Sequence, residues 1–120
     1  MKNREIGNLG EQTVCDYLQK NGYEIVVRNF TVKGGEIDII AKKNETLCFV
    51  EVKTRKFGAL ISGEQALTAA KRRHIIYAAE RFLGKLDTTP KCRFDAAVVE
   101  VKNDKVIKLK YYINAFDNSR

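Results

Sequence analysis

Two acidic side chains on the arms of a predicted β-hairpin are the groups in this sequence best suited to chemistry. Asp38 interrupts an apolar run from residue 35 to residue 41, and Glu51 lies near the end of a second apolar run, two residues before Lys53. Burying an isolated carboxylate is costly, and like charges on adjacent strands repel each other. Because a divalent cation would turn that unfavourable arrangement into a binding site, the pattern predicts a metal-dependent enzyme.

The register of the hairpin decides whether the two acids meet. A two-residue loop at Asn44 and Glu45 would place Asp38 opposite Glu51, with Cβ atoms roughly 5 Å apart. A shift of one residue would instead place Asp38 opposite Val50. The first register gives the hairpin two faces, a polar one of Glu36, Asp38, Glu51 and Lys53 and an apolar one of Ile37, Ile39, Cys48, Val50 and Val52. The alternative use of the polar face is a ladder of salt bridges on an edge strand.

The predicted polar face meets the needs of phosphodiester hydrolysis. That reaction needs a hard cation on the phosphoryl oxygens, an activated water and positive charge near the transition state. Mg²⁺ takes one or two protein carboxylates and keeps several waters, so Asp38 and Glu51 suit it or Mn²⁺, with the Val52 backbone carbonyl as a further ligand. The Lys53 ammonium would orient the attacking water or neutralise developing charge, and spacing does not distinguish these roles.

The elements that must position these groups follow from hydrophobic periodicity and turn residues. The sequence predicts helices at residues 3–21 and 64–83 and strands at 23–30, 36–42, 47–54, 91–101 and 105–112. Ser62 is the expected N-cap of the second helix. The order α-β-β-β-α-β-β predicts a mixed α+β fold of the α/β class, with a mixed central sheet flanked by helices, in a single domain spanning residues 1–120.

Two helical residues have more than one reading. Glu11 lies one row outside the apolar stripe of the first helix, so its side chain could face a cleft, although spacing alone favours an ordinary surface charge. His74, the only histidine, lies on the expected inner side of the second helix between Ala70 and Ala78. A general base is one use of His74, but packing or a phosphate contact is the expected one, because no cysteine or acidic residue stands at metal-binding spacing.

Positive charge is concentrated next to the acidic hairpin. The chain carries a net charge of +7, and residues 53–85 hold eight Lys and Arg against two Glu. A basic flank beside an acidic centre suits a nucleic-acid enzyme, since cations bind phosphates. The alternative is a solvated surface that aids solubility. The predicted phosphate contacts are Arg55, Lys56, Lys71, Arg72 and Arg73.

Composition also bounds the compartment. The N-terminus leads directly into polar helical sequence, and no stretch is long and apolar enough to span a membrane, which predicts a cytoplasmic protein. Cys15, Cys48 and Cys92 are widely spaced and odd in number, so we expect three reduced, mostly buried thiols.

The motifs resemble those of a known group of nucleases. The stretches Gly-Glu-Ile-Asp-Ile-Ile and Phe-Val-Glu-Val-Lys-Thr-Arg resemble the core motif of the PD-(D/E)XK, or restriction-endonuclease-like, superfamily. Almost the whole chain is similar to the uncharacterised bacterial YraN-like family, which resembles Holliday-junction resolvases. The other matching stretches are Gly7–Glu11, Tyr23–Phe30, Ala66–Thr68 with Lys71, Arg93–Asp95 and Ile113–Phe116.

This resemblance implies roles for individual residues. Asp38, Glu51 and Lys53 take the metal and catalytic positions, and Glu11 takes the acidic position that the resolvase-like branch carries on its first helix. Ile37 replaces the proline that gives the superfamily its name. Asp95 in the Arg-Phe-Asp match is expected to pair with Arg93 or with a basic residue of a helix, and Gln65 stands where related nucleases often carry a polar residue.

Three functions follow from these observations. The first is a Mg²⁺-dependent endonuclease that cuts DNA, with branched or structured DNA as a candidate substrate and a homodimer expected if two strands are cut symmetrically. The second is a nucleic-acid-binding module that keeps the fold without turnover. The third is a protein whose basic face binds an acidic protein or RNA.

Overall fold

The computed structural model describes residues 3–58 and 67–117, which form two helices and five strands. In chain order these elements are α1 (Asn3–Lys20), β1 (Glu24–Val32), β2 (Gly35–Lys43), β3 (Thr46–Lys56), α2 (Ala69–Leu83), β4 (Lys91–Lys102) and β5 (Lys105–Phe116). The predicted order α-β-β-β-α-β-β is confirmed. Neither helix in these described ranges is long and apolar enough to cross a membrane.

The five strands form one mixed sheet in the order β1-β2-β3-β4-β5. Neighbouring strands are antiparallel except β3 and β4, which run parallel from the pair Thr46–Lys91 to the pair Lys56–Val101. Parallel strands need a crossover connection, and the segment that contains α2 supplies it. The mixed α+β class predicted from the sequence is therefore confirmed.

Each helix covers one face of the sheet with its own apolar core. On one face, Val14 and Leu18 of α1 pack with Ile39 and Val50. On the other face, Ile75 of α2 packs in a second core with residues that include Ile40 and Phe49. Alternating side chains of β2 and β3 enter opposite cores, so both strands are buried on two sides. A charged side chain in these strands is thereby held in a fixed position.

The hairpin of β2 and β3 has the predicted register. Its backbone pairing runs from Lys43–Thr46 to Ile39–Val50 around a two-residue turn, in which Asn44 adopts a φ of 54°. The ladder stops at Ile39 and Val50, so the positions that this register also sets opposite each other, Asp38 with Glu51 and Glu36 with Lys53, are not ladder pairs. Beyond this point the Val52 amide of β3 donates its hydrogen bond to the Asp38 side chain instead.

The predicted apolar face of the hairpin is wrong at one residue. Ile39 lies in the core beneath α1, as expected, whereas Ile37 lies in the core beneath α2. The change coincides with a left-handed residue in β1, Asn29, which has a φ of 54° and falls between the pairs Arg28–Ile39 and Phe30–Ile37. Side-chain alternation breaks at Asp38, which lies opposite this residue.

The start of the second helix also differs from the prediction. α2 begins at Ala69, and Leu67 and Thr68, expected inside the helix, lie before it. Thr68 is the N-cap, and its hydroxyl accepts a hydrogen bond of 3.1 Å from the Lys71 amide. Ser62, the predicted cap, and Gln65 lie outside the described residues. The cap fixes the first turn of α2, which carries Lys71.

The last strand is longer than predicted, and a buried acid explains part of its order. β5 continues to Phe116, whose ring stacks on Phe94 with centroids 4.9 Å apart. Asp95 is fully buried and accepts hydrogen bonds from Arg93, from the Tyr111 hydroxyl at 2.6 Å and from the Asn114 amide at 3.0 Å. The expected pairing of Asp95 with Arg93 is confirmed.

The cysteines are free thiols among the described residues. Cys15 and Cys48 are buried as expected, whereas Cys92 is exposed near the start of β4. The expectation of mostly buried thiols therefore holds for two of the three positions.

Gly10 allows α1 to approach β3 closely. A Cβ at Gly10 would overlap the Thr54 hydroxyl, whereas a Cβ at Gly7 would meet no atom within 4 Å. We expect Gly10→Ala to lower the free energy of unfolding by about 1–3 kcal/mol through overpacking. Gly7→Ala, its matched control on the same helix, should raise it by up to about 1 kcal/mol because alanine favours the helix. Urea unfolding measures both, and equal effects would contradict the close approach.

Candidate functional site

An open cleft of about 670 Å³ lies where α1, the β1–β2 turn, β3 and the start of α2 meet. Its walls carry opposite charges. The acidic lining residues are Glu11, Glu36, Asp38 and Glu51, and the basic ones are Lys53, Arg55, Lys56 and Lys71. The four residues predicted to do chemistry therefore share one cleft, and they come from three separate elements of the fold.

Asp38 and Glu51 form the floor of this cleft. Each residue is only 7% exposed, and the two carboxyl groups are hydrogen-bonded to each other. Asp38 Oδ2 also accepts a hydrogen bond of 2.7 Å from the backbone amide of Val52. That bond takes the place of the next rung of the β2–β3 ladder, which ends at Ile39 and Val50. The carboxyl pair thus lies where the two strands separate.

Burial and mutual repulsion make this pair retain a proton. Burial and the neighbouring Asp38 charge raise the pKa of Glu51 to about 7. Burial also raises the pKa of Asp38, although the Val52 amide and the hydrogen bond with Glu51 oppose that rise. Near neutral pH the two acids together carry less than two negative charges.

Lys71 from α2 reaches into the cleft and binds the pair. Its Nζ lies 2.7 Å from Glu51 Oε1. Burial would lower the pKa of Lys71, but the hydrogen bond and charge of Glu51 raise it above its ordinary value. The sequence predicted only a phosphate contact here. The available signal was position, because Lys71 precedes Ile75 and Ala78 at helical spacing on the buried stripe of α2.

Glu11 approaches the pair from α1 without joining it. Its side chain is half-buried in the cleft, and burial followed by the Asp38 charge raises the pKa of Glu11. A hydrogen bond with the side chain of Asn29 acts in the opposite direction. Asn29 was not identified from the sequence. Its left-handed backbone conformation places it opposite Asp38, where it links β1 to the acidic wall.

Asp38 and Glu51 are the two carboxylates best placed to hold a hard divalent cation. Within residues 3–58 and 67–117, no group of three or more His, Cys, Asp or Glu side chains converges closely enough to hold a metal ion. The predicted ligand set of Glu11, Asp38 and Glu51 stays a prediction, and the three side chains line the same cleft. Asp38 and Glu51 remain suitable, since Mg²⁺ often uses only one or two protein carboxylates. A divalent cation bound between these two buried acids would offset their mutual repulsion.

Val52 contributes backbone groups beside the pair. Its amide points to Asp38. The amide and carbonyl of one strand residue point to the same side, so the Val52 carbonyl faces the same gap between β2 and β3. The Val52 carbonyl as a further cation ligand beside the two carboxylates stays a prediction.

The predicted phosphate-binding residues fall in different places. Lys53 and Lys56 are exposed and line the cleft. Arg55 also lines it and forms an ion pair of 2.7 Å with Glu100 of β4. Arg72 donates a hydrogen bond of 3.1 Å to the Leu67 carbonyl, at the start of α2.

Two neighbouring residues of α2 lie at the edge of the cleft. Arg73 lines an adjoining groove on the outer side of α2, rather than the cleft itself. His74 was predicted to face inward, but its side chain is exposed and lines both the cleft and that groove. The helix is rotated so that Ile75 and Ile76, rather than His74, face the core.

Comparison with known sequences gives a family but no activity. Residues 10–101 match the family described as "Uncharacterised protein family UPF0102". A "UPF0102 protein" of Caldicellulosiruptor saccharolyticus is 42% identical over 120 residues, which cover 97% of this chain and 100% of that protein. A relative from Symbiobacterium thermophilum is 40% identical and covers 94% of this chain and 97% of its own. A third, from Dictyoglomus thermophilum, is 40% identical over 118 residues, which cover 97% of this chain and 100% of that protein.

The carboxyl pair should make stability depend on pH in the absence of divalent cations. Glu51 keeps its proton up to a pKa of about 7 in the folded chain, against 4.5 ordinarily. The folded state is therefore favoured below pH 4.5, and that advantage is lost as the pH rises through 7. Relative to Glu51→Gln, the wild-type chain should lose up to about 3 kcal/mol of unfolding free energy between pH 5 and pH 8.

Urea unfolding in EDTA at the two pH values measures this difference. Glu45→Gln, which changes an exposed acid in the β2–β3 turn, is the matched control and should keep the wild-type pH dependence. If wild type and Glu51→Gln changed in parallel with pH, the buried proton would be absent.

Proposed function

We propose that this chain, which belongs to the uncharacterised protein family UPF0102, is a divalent-metal-dependent endonuclease that hydrolyses DNA phosphodiester bonds in the cytoplasm. One observation carries the proposal. Two buried, hydrogen-bonded carboxyl groups, Asp38 and Glu51, form the floor of an open cleft whose rim carries lysines.

The acidic floor supports a cation-binding role over a purely structural one. Buried acids in a structural role are paired and fully hydrogen-bonded, as Asp95 is with Arg93, Tyr111 and Asn114. Asp38 and Glu51 also have partners, the Val52 amide and the Lys71 ammonium, but they lie next to each other beside an open cleft. A bound Mg²⁺ or Mn²⁺ would polarise a phosphoryl oxygen and lower the pKa of a water at this position.

The basic rim supplies the charge that a phosphate needs. The Lys53 side chain follows Glu51 by two residues on β3 and lines the cleft, and Lys71 lies against Glu51. In the proposed complex both ammonium groups contact non-bridging phosphate oxygens, where they offset the charge that develops during hydrolysis. Lys71 would exchange its contact with Glu51 for one with phosphate, while Lys56 binds a neighbouring phosphate.

Glu11 has a supporting role in this proposal. It lies in the same cleft, near enough for the charge of Asp38 to raise its pKa, so it can accept a hydrogen bond from a water held near the pair. Its position on a helix that approaches β3 at Gly10 keeps it at a fixed distance from the carboxyl floor.

The superfamily assignment is part of the proposal. An acid on one strand of a hairpin, followed by Glu-Val-Lys on the next, is the pattern of PD-(D/E)XK nucleases. The mixed sheet with a helix on each face is compatible with that assignment. Branched DNA is the candidate substrate that the resemblance suggests, and symmetric cutting of two strands would require two copies of the chain.

A nucleic-acid-binding module without turnover is the competing function. Among the described residues the absence of a three-ligand metal group, together with the ion pair of Lys71 and Glu51, favours it. The two functions share the basic rim, so DNA binding alone does not separate them. Metal-dependent cutting does.

Cleavage assays with a matched pair of variants test the proposal. Linear duplex, single-stranded, flap and four-way-junction DNA are each incubated with Mg²⁺, Mn²⁺ or EDTA. We expect cutting only with a divalent cation, and Asp38→Asn should reduce its rate by at least about 100-fold because a cation ligand is lost. Asp87→Asn, an exposed acid near the end of α2, should cut like wild type.

The outcomes are distinct. Binding to DNA with no cutting under either metal would contradict the enzyme and favour the binding module. Cutting that survives in Asp38→Asn would place the chemistry elsewhere or in a contaminant. Circular dichroism of both variants shows that a lost activity is not a lost fold.

A further inference from the structure

We propose that a groove along the outer side of α2 binds an unpaired DNA strand next to the cut phosphate, so that the preferred substrate carries a single-stranded flank. The α2 groove is defined by Lys33, Gly34, Arg73, His74, Tyr77 and Arg81. This inference rests on the proposed function and names the form of DNA that the cleft would receive.

The α2 groove adjoins the cleft. It has a volume of about 680 Å³, and His74 lines both depressions. Gly34 lines the groove, and its neighbour Gly35 lines the cleft. From His74 to Arg81 the helix rises about 10 Å, since each residue adds 1.5 Å. A strand that leaves the carboxyl floor therefore has a path of that length along α2.

The charge of the α2 groove matches a nucleic-acid backbone. Lys33, Arg73 and Arg81 contribute three positive charges, and Glu80 contributes one negative charge. Two of these cations lie on α2 and the third on the β1–β2 turn, so they reach the groove from two separate elements. Phosphates in the groove would be contacted from both elements, which fixes the strand without reading its sequence.

An aromatic ring in the α2 groove indicates an unpaired strand rather than a duplex. Tyr77 is 42% exposed, and its ring lies against Gly34, where an added Cβ would be 3.4 Å from Cε2. Gly34 adopts a φ of 95°, a conformation that favours glycine, so the turn can support the ring closely. Bases inside a duplex are already stacked, whereas an unpaired base can stack on an exposed ring.

Binding measured without cleavage tests this inference. In EDTA, fluorescence anisotropy compares a blunt duplex with the same duplex extended by a few unpaired nucleotides, in both polarities. We expect the wild type to bind one extended form more tightly, and Tyr77→Ala to reduce that preference by about 10-fold. Tyr77→Phe should keep it, because a phenyl ring also stacks.

Two variants that each remove one positive charge give a second, independent readout. Arg81→Gln should weaken binding of the extended DNA more than binding of the blunt duplex. Lys105→Gln, which changes the exposed first residue of β5, should change neither. Thermal melting of each variant confirms that it remains folded.

The contradicting results are separable from failure of the proposed function. Equal binding of blunt and extended DNA, or equal effects of Tyr77→Ala and Lys105→Gln, would overturn the inference even if the protein cuts DNA. A polyglutamate competitor that displaced extended DNA in a Tyr77-dependent way would also overturn it, in favour of an acidic protein. A Tyr77-dependent preference without any cutting would leave the inference standing and remove the nuclease.

Discussion

The contact between two buried carboxyl groups is the constraint on which the rest of the site depends. Asp38 and Glu51 are brought together because the β2–β3 register aligns them and the ladder ends at that point. Bringing two acids together in a low-dielectric setting costs free energy, which the chain limits by retaining a proton and by adding Lys71. The neighbouring helices are held close to the two acids. Gly10 brings α1 close to β3, and the Thr68 cap positions the first turn of α2.

Asp95, a second buried acid in the same sheet, is an example of an acid with a structural role. Asp95 is fully buried, yet it accepts hydrogen bonds from a guanidinium, a hydroxyl and a backbone amide. These bonds join β4 to β5 and to the first core through Tyr111. The Asp38–Glu51 pair has fewer donors and opens to a cleft with cations at its rim. The contrast within one chain is the physical reason to assign binding to the pair and stability to Asp95.

Local patterns predicted the elements and the acid pair, whereas contacts between distant residues were beyond them. Alternation along the hairpin placed Asp38 opposite Glu51, because a two-residue turn fixes the register of both strands. The same alternation misplaced Ile37, where the change of face coincides with the left-handed Asn29 in another strand. Composition favoured a helix from residue 64, but the cap at Thr68 starts it at Ala69.

Side chains far apart in sequence produced the remaining differences. Phe116 extends β5 by stacking on Phe94, and Lys71 reaches Glu51 across twenty positions of the chain. Neither contact leaves a local signature beyond the amphipathic position of Lys71. For Glu11 the prediction came from resemblance rather than from a local pattern. Resemblance placed it with the two acids, and it lies in the same cleft, but the described residues do not form a three-ligand group.

Direct detection of a bound cation tests the role of the acid pair most closely. Electron paramagnetic resonance of Mn²⁺, titrated with the metal-free protein at pH 8, reports free and bound ion without any nucleic acid. We expect one saturable site in the wild-type chain that Mg²⁺ displaces and that Asp38→Asn removes, while Asp87→Asn retains it. Mn²⁺ that stays free in the presence of wild-type protein, or binds equally to Asp38→Asn, would contradict a cation site at Asp38 and Glu51.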